Sequence, residues 1–370
     1  MKKRFIHAIA LVMGVAMSMS MTSCDDDDDK SNAAVDYSNI DYTAKNAANW
    51  GNYMEAVATY LSTDANTLYS EWASTYASTF KADANAVEDM IAGCMDIANE
   101  VGVSKIGDPI EKYEAGNTTE ALYAVESWYS WHSIDDYANN IRSIRNVYYG
   151  SRDGSVAANS LYNAVKAVNS DKAEAVNSQI LATIAAIEAI PAPFRNNINS
   201  SEAKAAQSAC AELKDALNGL NSELEKIDAA TLSAVAANFV DVVALPTYEE
   251  LADANEALLA AVKAFKAAPS NSGFETLAAK WLASREPWES SEAFLFGPVA
   301  DLGLDPNMDS WPLAQADIYN ILTSGDFSAL SWTGEYDEES SAIEAAQAIR
   351  GFHTLEFLIF KNGKARTISE

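Results

Sequence analysis

Apolar residues recur at intervals of three and four along most of the chain, and strict alternation of apolar and polar residues is scarce. This spacing places apolar side chains on one face of an α-helix. Examples are Tyr53, Val57, Tyr60 and Leu61, then Val87, Met90, Ile91 and Cys94, and then Leu213, Leu217, Leu220 and Leu224. The pattern predicts an all-α protein made of two packed helical bundles.

The division between the bundles is predicted from one break in this pattern. An amphipathic helix ends near Glu225, and a new apolar segment begins at Val240. The chain that follows the N-terminal leader is long enough for two domains of ordinary size. We therefore predict one helical bundle over residues 41–228 and a second over residues 229–370.

The first 23 residues have the composition of a secretory signal peptide. A basic head at residues 2–4 precedes an apolar stretch at residues 5–19, which is too short and too close to the N-terminus for a membrane span. The segment ends before Cys24, which resembles the lipidated first residue of a bacterial lipoprotein. The alternative is an ordinary cleavage site just before Cys24.

A run of acidic residues, 25–29, follows Cys24 directly. Like charges at this density stay solvated, so residues 24–40 are predicted to form an acidic tether between lipid and folded body. Such a run also resembles the signal that sends some lipoproteins to the outer face of the outer membrane. We expect a protein that is lipid-anchored in the outer membrane and exposed at the cell surface, or alternatively facing the periplasm.

The mature chain is strongly acidic. Without the leader it has 22 basic and 53 acidic residues, a net charge of −31 with histidine neutral. A field of this sign repels nucleic acid, so nucleic acid is excluded as a partner. The remaining cysteines, Cys94 and Cys210, lie in Ala-rich helical stretches. A buried thiol is the preferred interpretation for each, and a single disulfide in an oxidising envelope is the alternative.

The candidate chemistry lies near the C-terminus. His353 and Glu356 are three residues apart in an apolar run, so a helix presents both on one face. Such a pair can supply two ligands to a metal ion, or a base and its partner. The alternative is that the two side chains only bond each other and fix the bundles together.

Two ligands do not hold a metal firmly, so at least one more must come from another segment. Glu292 is the first candidate, because an unpaired carboxylate in its aromatic surroundings would be costly. Glu126, Asp136 and His132 are weaker candidates from the N-terminal half. The aromatic residues near Glu292 are predicted to be core, or alternatively a rigid wall around a pocket.

Three separated motifs carry a resemblance to a known family. They are Trp288-Glu-Ser-Ser-Glu-Ala-Phe-Leu-Phe-Gly-Pro-Val299, Asp309-Ser-Trp-Pro-Leu313 and Gly351-Phe-His-Thr-Leu-Glu-Phe-Leu358. In sequence and order they resemble the imelysin-like proteins, helical envelope proteins that are also described as insulin-cleaving membrane proteases. Gly-x-His-x-x-Glu is the pattern at the proposed site of that family.

The resemblance implies a metal site at His353, Glu356 and Glu292, with iron or zinc as the expected ion. It also implies a role in bacterial iron uptake, together with other envelope components. Further contacts to a ligand are expected from Gly351, Trp288, Trp311, Ser127, Asp136 and His132.

The order of the resembling segments is unusual. Residues 49–224 are similar to the later part of usual members, and residues 240–370 are similar to their first part. The chain therefore resembles a circularly permuted member of the family. Permutation requires that the original ends lie close together, which predicts that Glu370 lies near residues 41–50.

Enzymatic activity stays open at this stage. The chain has no His-Glu-x-x-His zinc helix, no Gly-x-Ser-x-Gly elbow and no cysteine beside a histidine. Three hypotheses remain: a metal-binding protein for iron uptake, a metal-assisted peptidase with Glu356 as base or ligand, and a non-catalytic interaction protein with a vestigial pocket.

Overall fold

Polar side chains at the ends of loops determine where many helices begin. The computed structural model describes residues 40–369. Ser160, Asn169, Ser200, Asp228 and Ser270 each accept a hydrogen bond from the backbone N–H three residues further on. This bond satisfies a donor that the first turn of a helix leaves free. These capping residues therefore stand directly before helices that the apolar periodicity of the sequence predicts.

The helices are numbered along the chain. They are α1 (Ala47–Glu71), α2 (Ala77–Ala82), α3 (Ala86–Glu100), α4 (Gly107–Glu114), α5 (Thr118–Ala124), α6 (Ser133–Tyr149), α7 (Leu161–Val168), α8 (Ser170–Glu188), α9 (Ser201–Asn218), α10 (Asn221–Leu224), α11 (Ala229–Asn238), α12 (Leu245–Ala267), α13 (Asn271–Glu289), α14 (Pro298–Asp301), α15 (Leu304–Asp309), α16 (Gln315–Ser324), α17 (Ser341–Gln347) and α18 (Gly351–Ile359). Strands β1 (Phe360–Lys361) and β2 (Lys364–Ala365) form a small antiparallel hairpin.

Short π-helical turns interrupt the regular helices at Trp72–Tyr76, Val101–Lys105 and Phe239–Ala244. Such turns change the direction of side chains and are frequent at functional sites. The second of them ends at Lys105, whose side chain is only 9% exposed. The turn thus directs a lysine into the protein interior.

The helices pack in two groups. In the first, α12 lies between α1 and α13, and α18 contacts both α1 and α13. In the second, α9 packs on α3 and α8, and α6 packs on α8 and α3. The all-α prediction is confirmed. Helix α1 comes from the N-terminal region yet packs on C-terminal helices, so the groups do not follow chain order, and the boundaries 41–228 and 229–370 stay a prediction.

The continuous helical stretch 229–267 is long and apolar enough, by composition alone, to cross a membrane. A core helix of a soluble protein can pass the same test, and Tyr248, Leu251, Leu258 and Val262 in this stretch are buried in the core. The contacts of α12 with α1 and α13 place one side of this stretch in the core.

The two ends of the described chain lie against each other. The backbone N–H of Ser369 donates to the carbonyl oxygen of Tyr42 at 2.9 Å, and the Arg366 guanidinium donates to the carbonyl of Ile40 at 2.7 Å. This proximity is what a circular permutation requires, and the permutation itself stays a prediction. The signal peptide, Cys24, residues 24–39 of the predicted tether, and Glu370, whose position near residues 41–50 is predicted, lie outside the described residues.

Cys94 and Cys210 are both free and buried. Their side chains lie in α3 and α9, which pack against each other. Burial raises the pKa of Cys210 to about 12 and that of Cys94 further still. Both thiols therefore stay protonated at neutral pH and act as small apolar core residues.

Candidate functional site

Helix α18 begins at a glycine that lies against another helix. Gly351 has φ = +83°, and a Cβ atom at this position would lie 2.4 Å from the carbonyl oxygen of Met308. Every residue of α18 is buried. The close approach holds the start of α18 against the end of α15, which brings His353 next to Asp309.

Glu356 orients the imidazole of His353. The Nδ1 atom of His353 donates to Oε2 of Glu356 at 2.9 Å. The other carboxylate oxygen, Oε1, accepts the backbone N–H groups of Tyr129 at 3.0 Å and Ser130 at 2.7 Å. These backbone groups belong to the loop between α5 and α6. Glu356 thus ties α18 to the second helix group and leaves Nε2 of His353 facing the interior, as carboxylates do for many metal-binding histidines.

The Nε2 atom of His353 faces two carboxylates. It lies 3.1 Å from Oδ1 of Asp309 and 3.5 Å from Oε1 of Glu126. The second oxygen of Asp309 accepts the indole N–H of Trp288 at 2.7 Å, and Trp311 packs against the imidazole with ring centroids 4.9 Å apart. The two tryptophans therefore form a rigid wall around these polar groups.

The guanidinium of Arg285 lies among these carboxylates. Nη1 donates to Oδ1 of Asp309, and Nη2 donates to Oε1 of Glu126 at 2.6 Å. Nη2 also pairs with Glu289 at 2.5 Å, and Nε lies 3.6 Å from Oδ2 of Asp136. Four carboxylates from four segments thus surround one arginine side chain that is 2% exposed.

Lys105 contributes the second permanent cation. Its Nζ lies 3.2 Å from Oε2 of Glu126 and 3.6 Å from Oε1 of Glu292. It also lies 3.9 Å from Glu100, whose side chain is 43% exposed. Lys105 therefore connects the buried carboxylates to an acidic residue at the surface.

We call the following nine side chains the charge cluster: Lys105, Glu126, Asp136, Arg285, Glu289, Glu292, Asp309, His353 and Glu356. Each of them is at most 9% exposed. Six are carboxylic acids, two are permanent cations and one is an imidazole. The acids outnumber the permanent cations, so the charge cluster needs protons or another cation to approach neutrality.

Nearby cations and hydrogen bonds favour the ionised form of Glu126 and Asp309. Burial alone would raise the pKa of Glu126, but Lys105, the hydrogen bond from His353 and Arg285 together lower it to about 2. Burial likewise opposes ionisation of Asp309, and Arg285 and His353 hold its pKa well below the ordinary value. Both side chains therefore present full negative charge to a cation.

Burial has the larger effect on three other carboxyl groups, Glu289, Glu292 and Asp136. Burial raises the pKa of Glu289 and Glu292 well above the ordinary value, despite the nearby cations Arg285 and Lys105. Burial also raises the pKa of Asp136 to about 6. Protons on Glu289 and Glu292 would reduce the excess negative charge of the cluster.

Burial and Arg285 lower the pKa of His353, but hydrogen bonds to Asp309, Glu126 and Glu356 outweigh them and raise it well above the ordinary value. These hydrogen bonds favour the imidazolium form of His353, in which Nε2 also carries a proton. A metal ion on Nε2 would have to replace that proton.

The other predicted contact residues differ in their relation to the charge cluster. Trp288, Trp311 and Gly351 line it or position it, as described above. Ser127 donates its hydroxyl to Asp136 and so touches the cluster from outside. His132 instead pairs with Asp135 at 2.8 Å, is one third exposed, and makes no described hydrogen bond to the cluster. Its role as a ligand stays a prediction.

The predicted third ligand, Glu292, belongs to a different group of donor atoms from His353. Glu289, Glu292 and Asp309 form one group of carboxylates, and Glu126, Asp309 and His353 form another. In each group one ligand atom per residue lies within 4.8 Å of the others. Asp309 is shared by both groups and was not a sequence candidate, although it begins the second family motif.

Arg285, Glu289 and Lys105 were also absent from the sequence candidates. A signal for two of them exists: Arg285 and Glu289 are four residues apart on α13 and therefore share a face with each other. Lys105 carries no such signal, because only the π-helical turn directs it inward.

The donor set fits a metal cation. Imidazole nitrogen and carboxylate oxygen are ligands for iron and zinc, and Glu126, Asp309 and His353 supply three from three separate segments. Glu356 completes the arrangement as the carboxylate that orients the histidine. The guanidinium of Arg285 would compete with a metal ion for these donors, because its Nη2 lies 3.4 Å from Nε2 of His353 and donates to Glu126.

The serine residues near His353 do not form a nucleophile pair with it. Ser127 donates to Asp136, Ser130 to the carbonyl of Ser127 at 3.4 Å, and Ser291 to the carbonyl of Trp288 at 2.7 Å. Both nitrogens of His353 face carboxylates. Within residues 40–369 the geometry therefore resembles a cation site more than a serine hydrolase site.

The chain is similar to known proteins both in sequence and in structure. The sequence model of the family described as Imelysin (Peptidase_M75) matches residues 25–224 and 244–370. The crystal structure of an imelysin peptidase from Bacteroides ovatus superimposes with a TM-score of 0.87 and 51% sequence identity, covering 90% of this chain and 100% of that one.

Iron-regulated protein A of Synechococcus elongatus is 32% identical over 122 residues. That match covers 33% of this chain and 30% of the cyanobacterial protein. The chain thus matches under a third of the length of this relative.

Proposed function

This chain belongs to the imelysin family, and from that premise we propose that it binds iron or another metal cation, or an iron-bearing ligand, in the service of bacterial iron uptake. We further propose that it acts as a lipid-anchored protein of the cell envelope. The iron connection is supported by the name of its cyanobacterial relative, iron-regulated protein A.

One observation carries the metal proposal. Glu126, Asp309 and His353 come from three segments that are far apart in sequence, and their donor atoms lie within 4.8 Å of one another. Two of these donors are ionised carboxylates, and the third is an imidazole nitrogen whose ring is fixed by Glu356. This combination favours a cation of high charge.

The test is metal binding by the purified protein. Elemental analysis and calorimetry with Fe²⁺ without oxygen, and with Zn²⁺, are expected to show one bound ion per chain. Asp309→Asn and His353→Ala should each weaken binding at least tenfold, which is about 1.4 kcal/mol. Asp64→Asn is the matched control, because Asp64 also pairs with a buried arginine but lies in a different ion pair, at 3.7 Å from Arg350. Binding that is absent, or equal in all variants, would refute the proposal.

The envelope location is proposed from the sequence of the leader. Cys24 is the expected attachment point for outer-membrane lipid, and residues 25–29 are the expected export signal. A Cys24→Ser variant should lose incorporation of a labelled fatty acid and leave the membrane fraction. Protease treatment of intact cells then separates a surface-exposed protein, which is cleaved, from one that faces the periplasm.

Metal-assisted peptidase activity is the alternative function, because the name of the matching family model includes the word peptidase. Incubation with a mixed peptide pool, with and without added Zn²⁺ or Fe²⁺, tests it by mass spectrometry. Cleavage that disappears in Glu356→Gln would establish the alternative. Absence of both cleavage and metal binding would favour a non-catalytic interaction protein with a vestigial pocket.

A further inference from the structure

One guanidinium reaches every donor of the candidate metal site. Arg285 bonds Oδ1 of Asp309 and, at 2.6 Å, Oε1 of Glu126, and it lies 3.4 Å from Nε2 of His353. These are the atoms that the metal would need. A carboxylate oxygen or imidazole nitrogen that faces a guanidinium at these distances has no room for a metal ion on the same side.

We propose that Arg285 is the built-in occupant of the site, and that a metal cation binds only by displacing its guanidinium from Asp309, Glu126 and His353. This inference rests on the donor set of the proposed function. It assigns to Arg285 the role of an internal competitor that lowers the affinity of the site, rather than that of a ligand or a catalytic residue.

The displaced guanidinium has partners that the metal does not use. Glu289 lies 2.5 Å from Nη2, and Asp136 lies 3.6 Å from Nε. The ring of Phe352 lies 5.3 Å from the guanidinium carbon and offers its face. Because arginine keeps its charge at any relevant pH, it must stay paired when it moves. A small rotation onto Asp136 and Glu289 meets this requirement without exposing the side chain to water, provided that any proton on these two carboxyl groups leaves as the guanidinium pairs with them.

The competition also selects the class of cation. A monovalent ion provides no more Coulomb attraction than the guanidinium that it would replace, and it forms fewer hydrogen bonds. A divalent or trivalent ion provides at least twice the charge on the same donors. The site is therefore expected to exclude Na⁺ and K⁺ and to admit multivalent ions such as Zn²⁺ and Fe²⁺.

The decisive variant is Arg285→Met, which removes the competitor while keeping an unbranched apolar side chain. Removing any positive charge from the charge cluster would also favour a cation, so the control must remove equal charge without vacating the site. Lys105→Met does this: Lys105 contacts Glu126 and Glu292, and the described residues show no ion pair from it to Asp309 or His353.

Calorimetry with Zn²⁺ is expected to show at least tenfold tighter binding for Arg285→Met than for the wild type, and a clearly smaller gain for Lys105→Met. Equal gains in the two variants would overturn the inference, because charge alone would then explain them. The affinity of the wild type for Zn²⁺ should be the same in 100 mM NaCl as in choline chloride of equal ionic strength, because Na⁺ is not expected to enter the site.

A folding control keeps the test decisive. Circular dichroism and thermal unfolding report whether Arg285→Met is folded. Should it unfold, Arg285→Lys replaces it: the ammonium keeps the charge but cannot bond several donors in a fork, so Zn²⁺ should again bind more tightly than to the wild type. Unchanged affinity in Arg285→Lys would contradict the inference.

The outcomes separate this inference from the proposed function. Zn²⁺ binding by Arg285→Met but not by the wild type supports the competitor role and refutes metal binding as the function of the natural chain. Binding by the wild type that is no tighter in either Arg285 variant refutes the competitor role alone. Absence of binding in all variants overturns both.

Discussion

Gly351→Ala tests whether the close approach of α18 to α15 builds the site. The residue has φ = +83°, and an added Cβ would lie 2.4 Å from the carbonyl oxygen of Met308 and 2.8 Å from its carbonyl carbon. These neighbours are backbone atoms, so they cannot rotate away. Relief of the clash requires α18 and the end of α15 to separate by about 1 Å, measured against an ordinary contact of 3.4 Å.

The expected loss of stability has two parts. Alanine in a left-handed conformation costs about 1–2 kcal/mol, of which about 0.4–1 kcal/mol is offset by the lower entropy of the unfolded chain. Overpacking against the Met308 backbone costs about 1–3 kcal/mol more. Gly351→Ala should therefore lower the free energy of unfolding by about 1–5 kcal/mol, with about 3 kcal/mol as the central value.

Gly116→Ala is the matched control. Gly116 has nearly the same torsion, φ = +87°, but nothing lies within 4 Å of a Cβ at its position. It should therefore lose only the backbone part, about 1 kcal/mol. Urea denaturation followed by tryptophan fluorescence measures both variants. Losses that agree within about 0.5 kcal/mol would refute the argument, since the close approach to Met308 would then contribute nothing.

Two further predictions concern carboxyl groups. Glu356→Gln removes the charge from an acceptor of two backbone N–H groups and one imidazole N–H. We expect the free energy of unfolding, measured by urea denaturation, to fall by about 2–3 kcal/mol. The control Glu286→Gln, at an exposed position, should change stability little. Burial raises the pKa of Asp64 to about 6 despite its arginine partner, so the folded protein is penalised once this group ionises. The stability of wild type relative to Asp64→Asn should therefore fall by about 2 kcal/mol between pH 4 and pH 7, and a difference that is constant with pH would contradict this assignment.

The helices follow from local information. Their apolar residues recur at helical spacing, and serine, asparagine or aspartate side chains cap several of their first turns. These signals act within a few residues, so sequence alone predicts them. The packing of α1 on α12 depends instead on contacts between residues that are about 190 positions apart, and no local pattern specifies it.

In the candidate site, too, some features follow from local sequence and others depend on the fold. The spacing of His353 and Glu356 correctly predicts two side chains on one helix face, 2.9 Å apart. The spacing does not show that the other carboxylate oxygen of Glu356 accepts backbone N–H groups, which fixes Glu356 and so orients the histidine. The partners of Nε2, Asp309 and Glu126, come from segments whose approach depends on the fold. A single sequence supplies candidates for such a site, and only tertiary structure selects among them.

The presence of Arg285 also determines how the fold responds to metal. Small metal sites often form only with the ion, because unpaired ligands repel one another. Here the guanidinium bonds Asp309 and Glu126, and Glu356 holds His353, so protein contacts are sufficient to fix the positions of these donors. Treatment with a strong chelator should therefore leave the helical circular dichroism spectrum and the cooperativity of thermal unfolding intact. A chelated protein that loses its helical signal would show that the ion, and not Arg285, organises these carboxylates.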